Sequence, residues 1–313
     1  MVARLAAAAL AAATLLAGCG PSRDNPETAS LLLDFTPNGV HGGIYNATTG
    51  SIDRDEGLLL RVRTPGSATD AVKLLRAGRT DFAVLDIHDL GIAREKGADV
   101  VGVFALVQRP LAAVIARRGI RRPRDLEGER AGVTGLPSDD AVLRAVVRGD
   151  GGRSGRVRKI TVGFNAVGAL LAGRIDAATA FWNAEGVALR RRRPGRFREF
   201  RVDEYGAPRY PELVVAATRE TVETRAELVG RLRRTLARGY RDAVHRPART
   251  LDNMRAAIPG LDLDLTRAQL AALRPAFQPV GRLDRAAISA WAAWDVRYGI
   301  LDRRPDVDRA FAF

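Results

Sequence analysis

Cysteine occurs once in this 313-residue chain, at Cys19, so no internal disulfide and no cysteine metal cluster can form. Histidine is nearly as scarce. His41, His88 and His245 lie far apart, and no His-x-x-x-His or comparable ligand spacing occurs. A Gly-x-Ser-x-Gly elbow and a Cys/His nucleophile pair are also missing. Gly135-Leu136-Pro137-Ser138 is not a phosphate-binding loop. These absences argue against an enzyme: no catalytic residue, metal or cofactor is expected. Lysine is confined to Lys73, Lys96 and Lys159, so the formal charge of +14 is almost wholly arginine, spread from end to end. The one dense run, Arg190 to Arg193, closes a helical stretch where the dipole favours cations, and no aromatics interleave with it. That pattern excludes a nucleic-acid track. After the first eighteen residues no run is long and apolar enough to cross a bilayer.

Those first residues carry the first positive signal. Arg4 precedes an Ala/Leu run from Leu5 to Leu16, too short for a membrane span and shaped like a signal peptide. It ends in Leu16-Ala17-Gly18-Cys19, which resembles the bacterial lipobox. We therefore expect a signal peptide over 1–18, lipidation at Cys19, and a flexible tether over 19–30 containing Pro21 and Pro26. The chain would then be exported and held on the outer face of the cytoplasmic membrane. A plain secretory signal with an unused thiol is the other reading.

Beyond residue 30 the pattern is strand, then helix, repeated. Leu31–Phe35, Leu58–Val62, Asp81–Leu85 and Val100–Val107 read as short buried strands. Helical stretches at His41–Thr49, Ser67–Ala77 and Ile87–Lys96 separate them. The rhythm restarts after Arg109-Pro110. Strands at Ala112–Ile115, Ala131–Val133, Lys159–Val162 and Ile175–Ala180 alternate with helices at Ser138–Arg148, Asn165–Ala172 and Asn183–Arg193. Leu213–Ala217 is a late strand. Helices at Arg219–Val244, Pro247–Ile258, Thr266–Leu273 and Arg285–Arg297 follow it. The halves share a theme: Leu74-Leu75-Arg76-Ala77-Gly78 and Leu170-Leu171-Ala172-Gly173 each end a helix at a glycine before a strand opening on Asp81 or Asp176. This predicts an α/β protein of largely parallel sheets, which bind ligands beyond the carboxyl ends of their strands.

Three segments at those strand ends resemble one family. Asp34-Phe35-Thr36-Pro37-Asn38-Gly39-Val40-His41-Gly42-Gly43-Ile44-Tyr45 is similar to its opening motif, Phe181-Trp182-Asn183-Ala184-Glu185-Gly186 to its second, and Tyr205 to Leu213 to its third. Gly135 to Asp140 matches a glycine-rich turn into a helix seen in many members. The family is that of receptors for thiamine pyrimidine precursors, solute-binding proteins of ABC importers, similar in turn to the yeast pyrimidine synthases. Phe35 stands where the family has tryptophan, which keeps an aromatic face and loses an N–H donor.

The resemblance implies a two-lobe, type II periplasmic-binding-protein fold, each lobe a mixed, mostly parallel sheet flanked by helices, with extra C-terminal helices. Lobe one would hold 31–108 and 213–313, and lobe two 109–212, with crossings near Gln108-Arg109-Pro110 and Tyr210-Pro211-Glu212. It implies a monomer that takes an aminopyrimidine-like small molecule, works with an ABC permease, and reaches the membrane through its lipid anchor. Riboflavin or an alkylsulfonate is the alternative solute, and a pyrimidine-synthase-like enzyme the alternative class. The candidate ligand-binding residues are Phe35, Asn38, His41, Tyr45, Ser67, Asp86, Ser138, Trp182, Asn183, Glu185 and Tyr205. Phe35, Tyr45, Trp182 and Tyr205 could offer ring faces, each stack contributing about 1–3 kcal/mol by analogy with bases. Core packing is the competing role for Phe35 and Tyr45. Glu185 could accept two N–H groups of an aminopyrimidine edge, or serve only as a first-turn acid. Asn38 and Asn183 supply both donor and acceptor. His41 could touch ligand or brace its helix.

Overall fold

The computed structural model describes residues 25–66 and 70–313. Cys19, the expected signal peptide and Ser67 lie outside the described residues. The chain opens with β1 (Glu27–Leu32), α1 (Gly42–Thr49), α2 (Ile52–Asp55), β2 (Leu58–Arg63), α3 (Asp70–Arg76), β3 (Phe82–Asp86), α4 (Ile87–Glu95) and β4 (Val100–Ala105). It then crosses to β5 (Ala112–Arg117), β6 (Arg130–Val133), α5 (Pro137–Gly149), β7 (Arg158–Thr161), α6 (Ala166–Leu171), β8 (Ala177–Phe181), α7 (Glu185–Arg192) and β9 (Phe197–Arg201). It crosses back into β10 (Leu213–Thr218), followed by α8 (Arg219–Thr224), α9 (Ala226–His245), α10 (Pro247–Ala257), α11 (Leu263–Leu273), α12 (Arg285–Arg297) and α13 (Val307–Ala310).

Two five-stranded sheets result, ordered β2-β1-β3-β10-β4 and β7-β6-β8-β5-β9. The antiparallel member of each is the strand that arrives from the other half. β10 runs against β3 and β4, and β5 against β8 and β9, whereas β1, β2 and β3 are parallel, as are β6, β7 and β8. The architecture is the mixed, mostly parallel α/β pair expected, with helices after β10.

Strand alternation divides the core between two faces. Phe82 and Val84 of β3 pack in one buried cluster with Leu228, Leu232 and Leu236 of α9. Ala83 and Leu85 face a second cluster with Ile288 and Trp291 of α12. Close approach of α1 and α9 depends on glycine. A Cβ on Gly239 would meet the Gly43 carbonyl oxygen at 2.1 Å, and one on Gly43 would meet the Tyr240 ring at 2.3 Å.

Several boundaries differ from the sequence expectation. The first strand begins at Glu27 and ends at Leu32, so the expected tether cannot extend to Ser30, and Asp34-Phe35 lie in the loop after the strand. The helix expected over Arg219–Val244 is broken at Arg225 into α8 and α9. Strand β9 was not anticipated, because Phe197-Arg198-Glu199-Phe200-Arg201 is an edge strand with only Phe200 fully buried.

Candidate functional site

The carboxyl ends of β1, β3, β6 and β8 point toward one another, and a cavity of about 100 Å³ lies between them. That is several times the roughly 10–15 Å³ that one water needs. One side is formed by Asp34, Phe35, Asp86 and Asp89. Thr134, Ser138, Asp139, Phe164, Thr179, Phe181 and Glu185 form the other. Phe35 and Phe164 meet across it edge to face, ring centroids 4.6 Å apart at 82°. A larger groove of about 520 Å³ lies elsewhere, on the outer face of α4 and the C-terminal segment. Its Asp99 is already engaged by Arg94 and Arg219.

The cavity lining is acidic. Asp34, Asp86, Asp89, Asp139 and Glu185 border it, and among the described residues no arginine, lysine or histidine does. Asp89, Asp139 and Glu185 occupy first turns of α4, α5 and α7, where the helix dipole favours an acid. Burial opposes that preference and wins. It pushes the Glu185 carboxyl up to about 7, aided by Asp139 and Asp34, although the Phe181 N–H donates to its Oε2 at 3.1 Å. Burial likewise raises Asp139 to about 6 against the pull of two bonds donated by Thr134. Asp89 is held well above the carboxylate range by burial, then by Asp86 and Asp139. Such a site resists ionisation and offers oxygen acceptors to any group that donates N–H.

Of the residues expected from sequence, Phe35, Asp86, Ser138 and Glu185 border the cavity. His41 stands one step behind it. Its Nδ1 accepts the Asn38 N–H at 3.2 Å, so Nε2 carries the proton and donates to Asp34 at 2.8 Å. Asn38 caps the turn at Gly39–His41 and accepts the Val40 N–H at 3.0 Å. Both residues shape the loop that presents Asp34 and Phe35.

Tyr45 packs in the core, 7% exposed, and does not border the cavity. Trp182 does not offer a free ring face. It is buried, its indole N–H donates to the Pro110 carbonyl at 3.0 Å, and the Arg201 and Arg109 guanidinium groups lie 4.4 and 5.5 Å from its ring. Tyr205 packs edge-on to Phe200, with centroids 6.2 Å apart, outside the cavity. Asn183 does not border the cavity; it is fully buried, and its amide has no partner among the described residues. Asp34, Asp89, Asp139 and Phe164 were not singled out from sequence. Asp34 and Asp139 sat inside quoted motifs, and Asp89 follows Asp86 by one helical turn. Phe164, after Gly163, gave no signal.

Behind Asp86 lies a second cluster. Ligand-type atoms of Asp86, His88 and Glu212 fall within 4.8 Å of one another. Both imidazole nitrogens are engaged, Nδ1 with Asp295 at 2.9 Å and the Trp291 indole N–H at 3.0 Å, and Nε2 with the Tyr210 hydroxyl at 3.0 Å. The geometry is that of a hydrogen-bonded network and leaves no imidazole lone pair for a cation.

A family profile described as NMT1/THI5 like matches residues 38–250. The chain is 29% identical over 228 residues to a formylaminopyrimidine-binding protein of Halalkalibacterium halodurans, covering 72% of this chain and 69% of that protein. It is 25% identical over 167 residues to a 4-amino-5-hydroxymethyl-2-methylpyrimidine phosphate synthase of Legionella pneumophila, about half of each chain. Among solved structures it resembles the alkanesulfonate-binding protein of Xanthomonas axonopodis pv. citri, with a TM-score of 0.74, 18% identity, and 92% and 99% of the two chains covered. At that identity the likeness speaks for the periplasmic-binding-protein fold alone.

Proposed function

Because this chain belongs to the NMT1/THI5-like family, we propose that it is a solute-binding protein of an ABC importer that captures a small planar amino-heterocycle, a pyrimidine of the thiamine-precursor type. One observation carries the choice of solute: the cavity is bordered by five carboxyls and, among the described residues, by no basic side chain. An aminopyrimidine brings N–H donors and a ring nitrogen that can share a proton with a carboxyl. A sulfonate would bring a fixed negative charge to a wall with no cationic partner for it, and would oppose ionisation of the acids beside it. The name of the Halalkalibacterium relative supports the pyrimidine reading.

In this reading Phe35 and Phe164 cover the ring faces, Glu185 accepts from the amino edge, Ser138 and Asp139 complete the polar wall, and His41 holds Asp34 in place. The two sheets act as lobes hinged on 106–111 and 202–212, and closure removes water from the polar contacts. Binding without turnover is the proposed outcome. The anchor on Cys19 and the membrane location belong to the same proposal; mass spectrometry of membrane-extracted protein should find an acylated Cys19.

Calorimetry on the mature protein tests the solute. We expect 4-amino-5-hydroxymethyl-2-methylpyrimidine to bind and be recovered unchanged, and an alkanesulfonate to give no heat. Tight sulfonate binding, or a chemically altered pyrimidine, would overturn the proposal.

A further inference from the structure

The acid cluster behind the cavity is built into the chain crossings. Glu212 is fully buried on the return crossing. Its Oε2 accepts the Leu111 N–H at 2.8 Å and the Ala112 N–H at 3.4 Å, from the outgoing crossing and the start of β5. Its carbonyl accepts the Ile87 N–H at 2.8 Å, at the junction of β3 and α4. One residue therefore ties both crossings to the strand end that carries Asp86. The Leu106 N–H adds a further tie to the Leu213 carbonyl at 2.8 Å.

The remaining Glu212 oxygen, Oε1, is buried and receives no bond from any N–H or hydroxyl among the described residues. Leaving a buried carboxylate oxygen without a donor is costly, because the lost water contacts are not replaced. His88 Nε2, 4.0 Å away, is turned to Tyr210. The carboxyl of Asp86 is the neighbour able to supply a proton. Asp86 also borders the solute cavity.

We propose that Glu212 is a positioning residue for solute binding, accepting a proton-bearing hydrogen bond from Asp86 so that cavity occupancy and the two crossings are governed by one carboxyl pair. The inference rests on the solute-binding reading above. Charge balance favours it. Burial pulls the His88 imidazole down, but its acidic neighbours, Asp295 first, outweigh burial and raise it to about 10, which favours the imidazolium. That cation neutralises Asp295, with which it is in contact. Burial raises both remaining acids, but His88, the Leu111 and Ala112 N–H groups and the bond from Asp86 pull Glu212 back. Burial and then Glu212 push Asp86 well above the carboxylate range, so Asp86 is the member of the pair that keeps the proton. Asp86 is faced by His88 and Asp89 of its own helix, Tyr210 and Glu212 of the return crossing, and Asp295 of α12. Across the cavity it faces Asp139 and Glu185. No arginine or lysine stands among these groups. A raised acid contributes stability that is complete below its unfolded value and is lost as pH rises through its folded one. Deprotonation of Asp86 would set three carboxylates against one imidazolium and loosen the crossing.

Amide hydrogen exchange at Leu111 and Ala112 reads the latch directly, without solute. In the wild type these amides should be best protected at acid pH. Between the unfolded and the folded value of Asp86 their exchange should gain on that of Asp86→Asn at the same pH by about tenfold per pH unit, the slope of one linked proton, and the gap should level off above the folded value. Asp86→Asn, whose amide always donates to Glu212, should be free of this pH term. Glu212→Gln should keep the protection and lose the pH term, and Glu212→Ala should lose the protection. The affinity for 4-amino-5-hydroxymethyl-2-methylpyrimidine should carry the same alkaline limb in the wild type and not in Asp86→Asn. Identical exchange profiles for the wild type and Asp86→Asn, or equal exposure in Glu212→Gln and Glu212→Ala, would overturn the proposal. A protein that ignores the pyrimidine but keeps the exchange pattern would sink the solute assignment and leave the latch standing.

Discussion

Glu185 illustrates how a binding residue can be stable in the wrong protonation state for its neighbours. Burial raises its carboxyl from 4.5 to about 7, so near neutrality the group is poised between its two forms. The stabilisation of a raised acid is complete below the unfolded value and is lost as pH rises through the folded one. Replacing Glu185 with Gln should therefore leave stability unchanged near pH 4.5 and raise it above pH 7, by about 3 kcal/mol at most. Denaturant titrations across that range check the sign. The same variant should weaken pyrimidine binding by at least tenfold, since a lost bond to a charged group is worth about 1.5–3 kcal/mol. Trp182 calls for the opposite expectation. Its faces are covered by Arg109 and Arg201 and its N–H by Pro110, so Trp182→Phe should cost about 1 kcal/mol of stability and leave pyrimidine affinity within a factor of about three. Sequence could rank both residues as site candidates because they share a motif at a strand end. It could not show which side of the β8–α7 turn faces the cavity, because that depends on Pro110, some 72 positions away.

At the scale of elements, periodicity located almost every strand and helix of both sheets. It failed where a segment's environment is set by distant partners. β9 is half polar and becomes a strand only by pairing with β5, and β1 extends back to Glu27 because β2 offers partners as far as Leu58. Gly43, inside the first quoted motif, serves the seat of α1 on α9. Gly239→Ala would drive a methyl group to 2.1 Å from the Gly43 carbonyl oxygen, which should destabilise by about 1–3 kcal/mol. Gly230→Ala, on the same helix, meets only the movable Arg234 guanidinium at 3.4 Å, and should be neutral or stabilising by up to about 1 kcal/mol. Thermal unfolding of the two variants, compared side by side, checks that contact and not helix propensity decides the outcome.

For the molecule as a whole, two opposed charge distributions meet. The chain carries a formal +14, which draws anions to its surface, while the cavity between the sheets is bordered only by acids among its charged, described residues. Surface attraction is screened over a Debye length of about 8–10 Å in ordinary buffer, whereas contacts buried between the sheets are screened far less. Specific solute binding and adventitious anion binding should therefore part company in salt. The proposed hinge places the solute between the carboxyl ends of both sheets, so filling the cavity should draw the halves together. Small-angle scattering should register a smaller radius of gyration when 4-amino-5-hydroxymethyl-2-methylpyrimidine is added, and the contraction should persist in about 0.5 M NaCl, where the Debye length falls to roughly 4 Å. A contraction that vanishes in salt would trace to the arginine surface and not to the cavity. An unchanged radius at saturating pyrimidine would mean that the two sheets are fixed in place and that the crossings do not hinge.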